Sequence, residues 1–130
     1  MSSIFTKIIK GDIPSYKIYE DSNYLAFLDI APLSLGHVLV IPKEEIDYIF
    51  DIEAEKYRYL WDFTKKVATG MRKVLECMRI GIAVIGLEVP HAHIHLVPIK
   101  HVEDINFSRP KMSFSKEEME NTARLIREAI

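Results

Sequence analysis

One cysteine, no glutamine, no long apolar run and no excess of basic residues: these scarcities bound the chain first. With Cys77 alone, neither an intrachain disulfide nor a Cys-x-x-Cys metal knuckle can form, which fits a reducing cytoplasm and leaves the thiol as packing. No stretch of about 18 apolar residues occurs, so no membrane-spanning helix is expected. The first ten residues interleave Lys7 and Lys10 with Ile4, Phe5, Ile8 and Ile9, without the continuous apolar region or small-residue cleavage site of a secretory signal. The 17 Lys and Arg against 19 Asp and Glu give a formal net charge of −2, which lacks the basic footprint of a protein that tracks nucleic acid. A small anionic ligand is still accommodated, because a few histidines and backbone N–H groups hold one without a basic surface.

What is present describes one soluble α+β unit. The 130 residues, 48% hydrophobic and 28% charged, suit a single domain over 1–130, with a core from about 3 to 99 and a C-terminal extension carrying a helix from about 115 to 130. Ser3 to Lys10 reads as a short helix capped by Ser2 or Ser3 and stopped by Gly11. Tyr16 to Glu20 and Tyr24 to Asp29, joined by Asp21-Ser22-Asn23, read as a hairpin. His37 to Ile41 is an apolar run stopped by Pro42, expected as a strand buried on both faces.

From about Glu53 to Met78 apolar residues recur at three- and four-residue steps, which predicts the longest helix, with its aromatic stripe in the core. Ile80 to Leu87 and His91 to Ile99 read as an antiparallel strand pair. Lys100 to Phe114 is irregular and the expected place for mobility. Ser115-Lys116-Glu117-Glu118 has the capping-box pattern, followed by Met119, Ala123, Ile126 and Ile130 on one stripe. The expected architecture is about five antiparallel strands with one long helix, a short N-terminal helix and a C-terminal helix, the last suited to cover a dimer interface or site entrance.

The chemistry concentrates in His91-Ala92-His93-Ile94-His95. On a β-strand alternate side chains share a face, so three imidazoles would line one side while Ala92, Ile94 and Leu96 enter the core. Such a row can be a solvated polar face, or a metal site, since His-x-His can supply two zinc ligands. It can also do nucleophilic work, because imidazole with its reference pKa of about 6.5 serves as nucleophile, proton carrier or ligand near neutrality. His93 is flanked on both sides, so a phosphate over it would take hydrogen bonds from both neighbours while His93 attacks. Acyl transfer has no support, as neither a Gly-x-Ser-x-Gly nor a Cys-His elbow is present.

His91 to Val97 matches the pattern His-φ-His-φ-His-φ-φ, with φ apolar, of the histidine triad (HIT) nucleotide-binding family. Ser3 to Ile9, Leu25 to Pro32 and Gly36 to Lys43 resemble, in order, that family's first helix, nucleoside-side strand and second-histidine strand. The similarity runs from about Ser3 to Ile99. It implies a homodimer with a sheet continued across it, and hydrolysis of a nucleoside phosphoramidate or related nucleotidyl (AMP-type) ester of a purine nucleotide at the α-phosphate, with neither metal nor other cofactor. By the same resemblance His93 is the nucleophile that forms a nucleotidyl-histidine, His91 and His95 flank it, and His37 is an additional histidine at the site. Asp29 corresponds to the carboxylate that binds ribose hydroxyls, and Ile4, Phe5, Ile8, Phe27 and Ile30 to the lining of the base pocket. Those apolar residues are equally ones that a helix and a strand would bury.

The chain also departs from the family. Many members carry an Asn, a Gly-rich turn and a Gln or Ser before the triad; here the turn is Ile85-Gly86-Leu87-Glu88-Val89-Pro90, shorter and stiffened by Pro90. Gly86 is expected to let a backbone N–H approach the phosphate, and Glu88 to meet a cationic leaving amine. His95 stands where the transferase branch has glutamine, which favours hydrolysis. Two other readings are a nonenzymatic nucleotide-binding or scaffold protein, and a metalloprotein using the histidine row with Asp29 or Glu88.

Overall fold

The computed structural model describes residues 2–130; Met1, the first residue of the expected domain, lies outside the described residues. Helix α1 (Ile4–Ile9) begins where Ser3 Oγ accepts the Thr6 N–H. It ends at Gly11, whose φ of +83° lets Asp12 N–H turn back to the Lys7 carbonyl at 2.9 Å. Strands β1 (Lys17–Glu20) and β2 (Tyr24–Leu28) form the expected hairpin, held at the turn by Asp21 Oδ1, which accepts from the Asn23 and Tyr24 N–H groups. Strand β3 (Val38–Pro42), helix α2 (Ala54–Val74), strands β4 (Arg79–Ala83) and β5 (Ile94–Ile99) and helix α3 (Lys116–Ala129) follow. The five strands make one sheet in the order β1-β2-β3-β5-β4, antiparallel throughout.

The sheet is covered on both faces, which accounts for the unbroken apolar runs of β2 and β3, every residue of which is buried. Ala26, Leu28, Val38, Val40, Ile94 and Leu96 face the two long helices and meet Leu60, Phe63, Val67 and Met71 of α2 and Met119, Ala123 and Ile126 of α3. Leu25, Phe27, Leu39 and Ile41 face the other way, against Phe5 and Ile8 of α1. In the β3–β5 ladder His95 stands opposite Leu39, while Ile94 and Leu96 stand opposite Val40 and Val38. His95 therefore opens on the α1 side.

Four expectations change, the first being that the strand expected from Ile80 to Leu87 spans only Arg79–Ala83. Helix α2 stops at Val74 rather than Met78, because Met78 leaves it to donate its N–H to the Ile99 carbonyl at 2.9 Å and start the β4–β5 pairing. The strand expected from His91 begins only at Ile94. The ladder cannot continue along β3, because Pro42 has no N–H and its carbonyl is taken by the His91 ring; Ala92 N–H goes instead to the Ile46 carbonyl at 2.7 Å. The histidines thus form a row that is part loop, part strand, although Ala92, Ile94 and Leu96 still point together into the core.

The C-terminal helix starts with the expected capping box at Ser115 and Glu118. It does not cover the site: it packs on α2 and β1, on the sheet face away from His95. Truncating Ile126, which has no exposed surface, to alanine is expected to cost about 2–5 kcal/mol, read as a shift in urea midpoint, with no change in turnover. A matching loss of turnover in the folded variant would contradict this separation of the two faces.

Candidate active site

The histidines are set by hydrogen bonds whose partners leave no freedom of tautomer. Leu33 N–H donates to His37 Nδ1 at 3.0 Å, so in the neutral ring the proton of His37 sits on Nε2. That Nε2–H points at His95 Nδ1, 2.9 Å away, which makes His95 Nε2 the protonated nitrogen facing the site. His93 runs the other way: its Nδ1–H donates to the His91 carbonyl at 2.8 Å, so its Nε2 carries a bare lone pair. His91 donates Nε2–H to the Pro42 carbonyl at 2.7 Å and accepts the Ser3 hydroxyl on Nδ1 at 2.8 Å. Both ends of the His91 ring are consumed, and the ring is wholly enclosed. Its service to the site runs through its backbone carbonyl, which aims His93.

Burial enforces the neutral forms. Desolvation, joined by the positive charge of Lys111, lowers His37 to about 4. Desolvation, helped by the neighbouring histidines, lowers His95 to about 3. His91 is also lowered, again by desolvation, against the hydrogen bond to Pro42. Asp29 moves the other way: burial raises its carboxyl while the Ala31 N–H bond opposes the shift. Its Oδ2 lies 3.7 Å from His37 Nε2, and its backbone N–H donates to the His37 carbonyl at 2.9 Å.

The structure brings His93, His95, His37, Asp29, Phe5 and Phe27 together. The Phe5 ring stands edge-on to His93 at 5.0 Å and to Phe27 at 5.7 Å, and His93 stands 5.0 Å from His95. Ile8 packs in the same cluster as Phe5 and Phe27. Ile4 and Ile30 are not drawn in: they are 47% and 74% exposed, and Ile30 lines a separate cleft with Tyr16, Lys17 and α3. Gly86 shares with His93 a cavity of about 340 Å³, whose far wall is Tyr48, Phe50, Tyr57 and Trp61. Its φ of +75° is what calls for glycine; a Cβ there would meet nothing within 4 Å, so the turn leaves room instead of pressing a backbone group forward. Tyr57 and Trp61 of the aromatic stripe lie at the edge of the core, where they serve this wall.

Several participants had no local signal in the sequence. Ser3 was readable as a helix cap but not as the partner of a ring 88 residues away. Glu45 holds the same corner, accepting the Ser3 N–H and the Thr6 hydroxyl, and those bonds lower its carboxyl to about 2. Phe107, from the irregular stretch after β5, places its ring 4.6 Å from that of His95.

A five-stranded sheet that presents one imidazole lone pair beside one imidazole N–H defines an arrangement in which one ring can attack while its neighbour donates. A HIT domain profile matches residues 10–102, and the chain belongs to the histidine triad (HIT) family. It is 38% identical over 122 residues to the adenosine 5′-monophosphoramidase hnt1 of Schizosaccharomyces pombe, covering 92% of this chain and 91% of that one. The solved structure of a HIT-like protein from Bartonella henselae superposes with a TM-score of 0.86 at 30% identity, over 99% of this chain and 96% of that one. A zinc-bound histidine triad family protein from Mycobacterium smegmatis superposes at 0.84 with 32% identity, over 99% and 93%.

By distance alone a metal has a candidate seat here too, since Asp29, His37 and His95 offer ligand atoms within 4.8 Å of one another. The donor set does not fit. A metal on His37 Nε2 would push the ring proton to Nδ1, where it would face the Leu33 N–H donor head-on. Metal coordination and the observed hydrogen bond exclude each other.

Proposed function

We propose that this protein is a nucleotide-binding hydrolase that cleaves a nucleoside phosphoramidate or related nucleotidyl (AMP-type) ester at the α-phosphate through a nucleotidyl-His93 intermediate. The opposed tautomers of adjacent rings carry the reading: His93 Nε2 is a lone pair and His95 Nε2 an N–H donor. The lone pair forms the bond to phosphorus, the bond to the leaving group breaks, and the departing nitrogen takes a proton that enters from solvent by way of His95. Water then releases AMP and restores the neutral ring. A purine base rests against Phe5, Ile8 and Phe27, and Asp29 accepts the ribose hydroxyls. The fission yeast relative, named for its adenosine 5′-monophosphoramidase activity, supports this class of reaction.

The test is AMP release from adenosine 5′-phosphoramidate by metal-stripped protein, with acid-quenched and base-quenched samples searched by mass spectrometry for AMP on His93. An adduct that is stable in base and labile in acid supports the reading. Nucleotide binding by calorimetry without turnover or adduct would replace it with the binding-protein alternative.

The active form in this proposal is a cytoplasmic homodimer. Strand β4 ends the sheet with one side unpaired, and Met78, Ile82, Ile85 and Leu87 expose 66%, 53%, 48% and 88% of their surface on and beside it. Sedimentation at micromolar concentration is expected to give twice the 15.1 kDa chain mass, and Ile82→Asp to give the single mass. A wild-type protein that sediments as one chain contradicts the dimer.

A further inference from the structure

The segment that carries the nucleophile lies outside the sheet ladder. Strand β5 pairs with β3 only from Ile94 onward, and before it the backbone is tied by His91 N–H to the Val89 carbonyl at 2.8 Å and by Ala92 N–H to the Ile46 carbonyl at 2.7 Å. The His91 carbonyl, which accepts His93 Nδ1–H at 2.8 Å, therefore depends on how residue 91 itself is held. Its ring supplies the anchors. Nε2–H donates to the Pro42 carbonyl at 2.7 Å, and Nδ1 lies 2.8 Å from the Ser3 hydroxyl in the protein interior. Since a carbonyl only accepts, Nε2 holds the ring proton, and Ser3 is the donor that Nδ1 needs.

Ser3 is moored in turn. Its N–H donates to Glu45 Oε1 at 2.6 Å, its Oγ accepts Thr6 N–H at 3.1 Å, and the Thr6 hydroxyl donates to the same carboxylate oxygen at 2.7 Å. Glu45 adjoins Ile46, whose carbonyl holds Ala92. Two consecutive residues thus grip both the start of α1 and the segment before β5. The same helix carries Phe5, whose ring stands edge-on to His91 at 5.7 Å and to His93 at 5.0 Å.

We propose that Ser3 and Glu45 are positioning residues for the nucleophile. Glu45 fixes the first turn of α1, Ser3 fixes the seat and tautomer of His91, and His91 through its carbonyl keeps the proton of His93 on Nδ1, so that Nε2 stays bare. This role rests on the hydrolase reading above and adds to it two residues that act through His91. The reason is the enclosure of the ring. A buried Nδ1 left without a donor is costly, so the ring shifts to find one, and the carbonyl of the same residue loosens its hold on His93.

The test separates this role from helix capping. Ser3→Ala removes both the cap and the donor to His91, Ser3→Gly removes the donor while keeping a competent cap, and Ser3→Thr keeps both. With adenosine 5′-phosphoramidate as substrate, Ser3→Ala and Ser3→Gly are each expected to lower kcat by about tenfold with KM within about twofold, and Ser3→Thr to restore most of kcat. Glu45→Ala is expected to lose about threefold, and to add little to the loss in Ser3→Gly, because the two residues act through one ring. Nitrogen-15 spectra of the histidine rings, which need no substrate, give a second readout. Wild type is expected to show His93 protonated on Nδ1 alone, and Ser3→Gly a mixture of the two tautomers.

A loss of kcat in Ser3→Ala that Ser3→Gly does not share would assign the effect to the cap and overturn the proposal. So would a His93 ring that keeps its Nδ1 proton in Ser3→Gly. Wild-type protein inert toward the phosphoramidate, with no adduct on His93, would instead take down the hydrolase reading itself. The ring spectra tell the two failures apart, because they report whether Ser3 sets the tautomer whatever the turnover.

Discussion

His93→Ala is expected to lower kcat for AMP release by at least about a thousandfold while moving the thermal midpoint little. The size follows from the role. His93 alone in the row keeps an unshared ring lone pair, and none of its neighbours can take over: His95 presents an N–H, and both nitrogens of His91 are bound. The small change in stability follows from its contacts. The ring makes one hydrogen bond, to the His91 carbonyl, and borders the cavity it shares with Gly86, so its loss leaves water within reach of that carbonyl. A variant that keeps a tenth of wild-type turnover would place the nucleophile elsewhere.

The second large effect is on stability against acid. Burial holds His37 at about 4 and His95 at about 3, against 6.5 for a free ring. Between those values the unfolded chain binds protons that the native chain refuses, so stability falls as pH drops below about 6.5 and keeps falling until the folded-state values are passed. Each unit of depression is worth about 1.4 kcal/mol, so the pair together represents several kcal/mol. His91, lowered by desolvation, adds in the same direction.

Asp29 has the opposite sign: its carboxyl is raised in the folded state, so the native chain takes up that proton first and recovers part of the loss as pH falls through that raised value. Glu45, lowered to about 2 by its hydrogen bonds, loses its contribution as pH falls from about 4.5 toward 2, which overlaps the lower end of the window set by the rings. Thermal melts from pH 7 to pH 4 are expected to show a fall on the order of 10 °C. His37→Asn should flatten the slope by about one proton. A midpoint constant down to pH 4.5 would mean that the pair is not held neutral.

Much of the fold was legible because its signals are local. The Ser3 and Ser115 caps, the Asp21 turn, the stop at Gly11 and the doubly apolar run before Pro42 are each decided within a few residues, by backbone geometry or side-chain period. The misplaced boundaries lie where a distant partner decides. The spacing of Val74, Leu75 and Met78 continues a helical stripe, yet the Ile99 carbonyl draws Met78 into a ladder. His91 and His93 alternate like a strand, yet Pro42 ends the partner that would have paired with them.

The site divides along the same boundary. Residue order alone determined the family, the presence of three imidazoles at alternate positions and the kind of chemistry they can perform, because these depend on which side chains stand at which spacing. Only the tertiary structure decided which nitrogen of each ring holds a proton, that His91 supports while His93 is free, and that Phe107 packs against His95 at the end of the row. Those outcomes rest on hydrogen bonds and ring contacts between residues far apart in the chain, such as His37 with His95 across 58 positions, and a tautomer exists only once its partners have been folded into place.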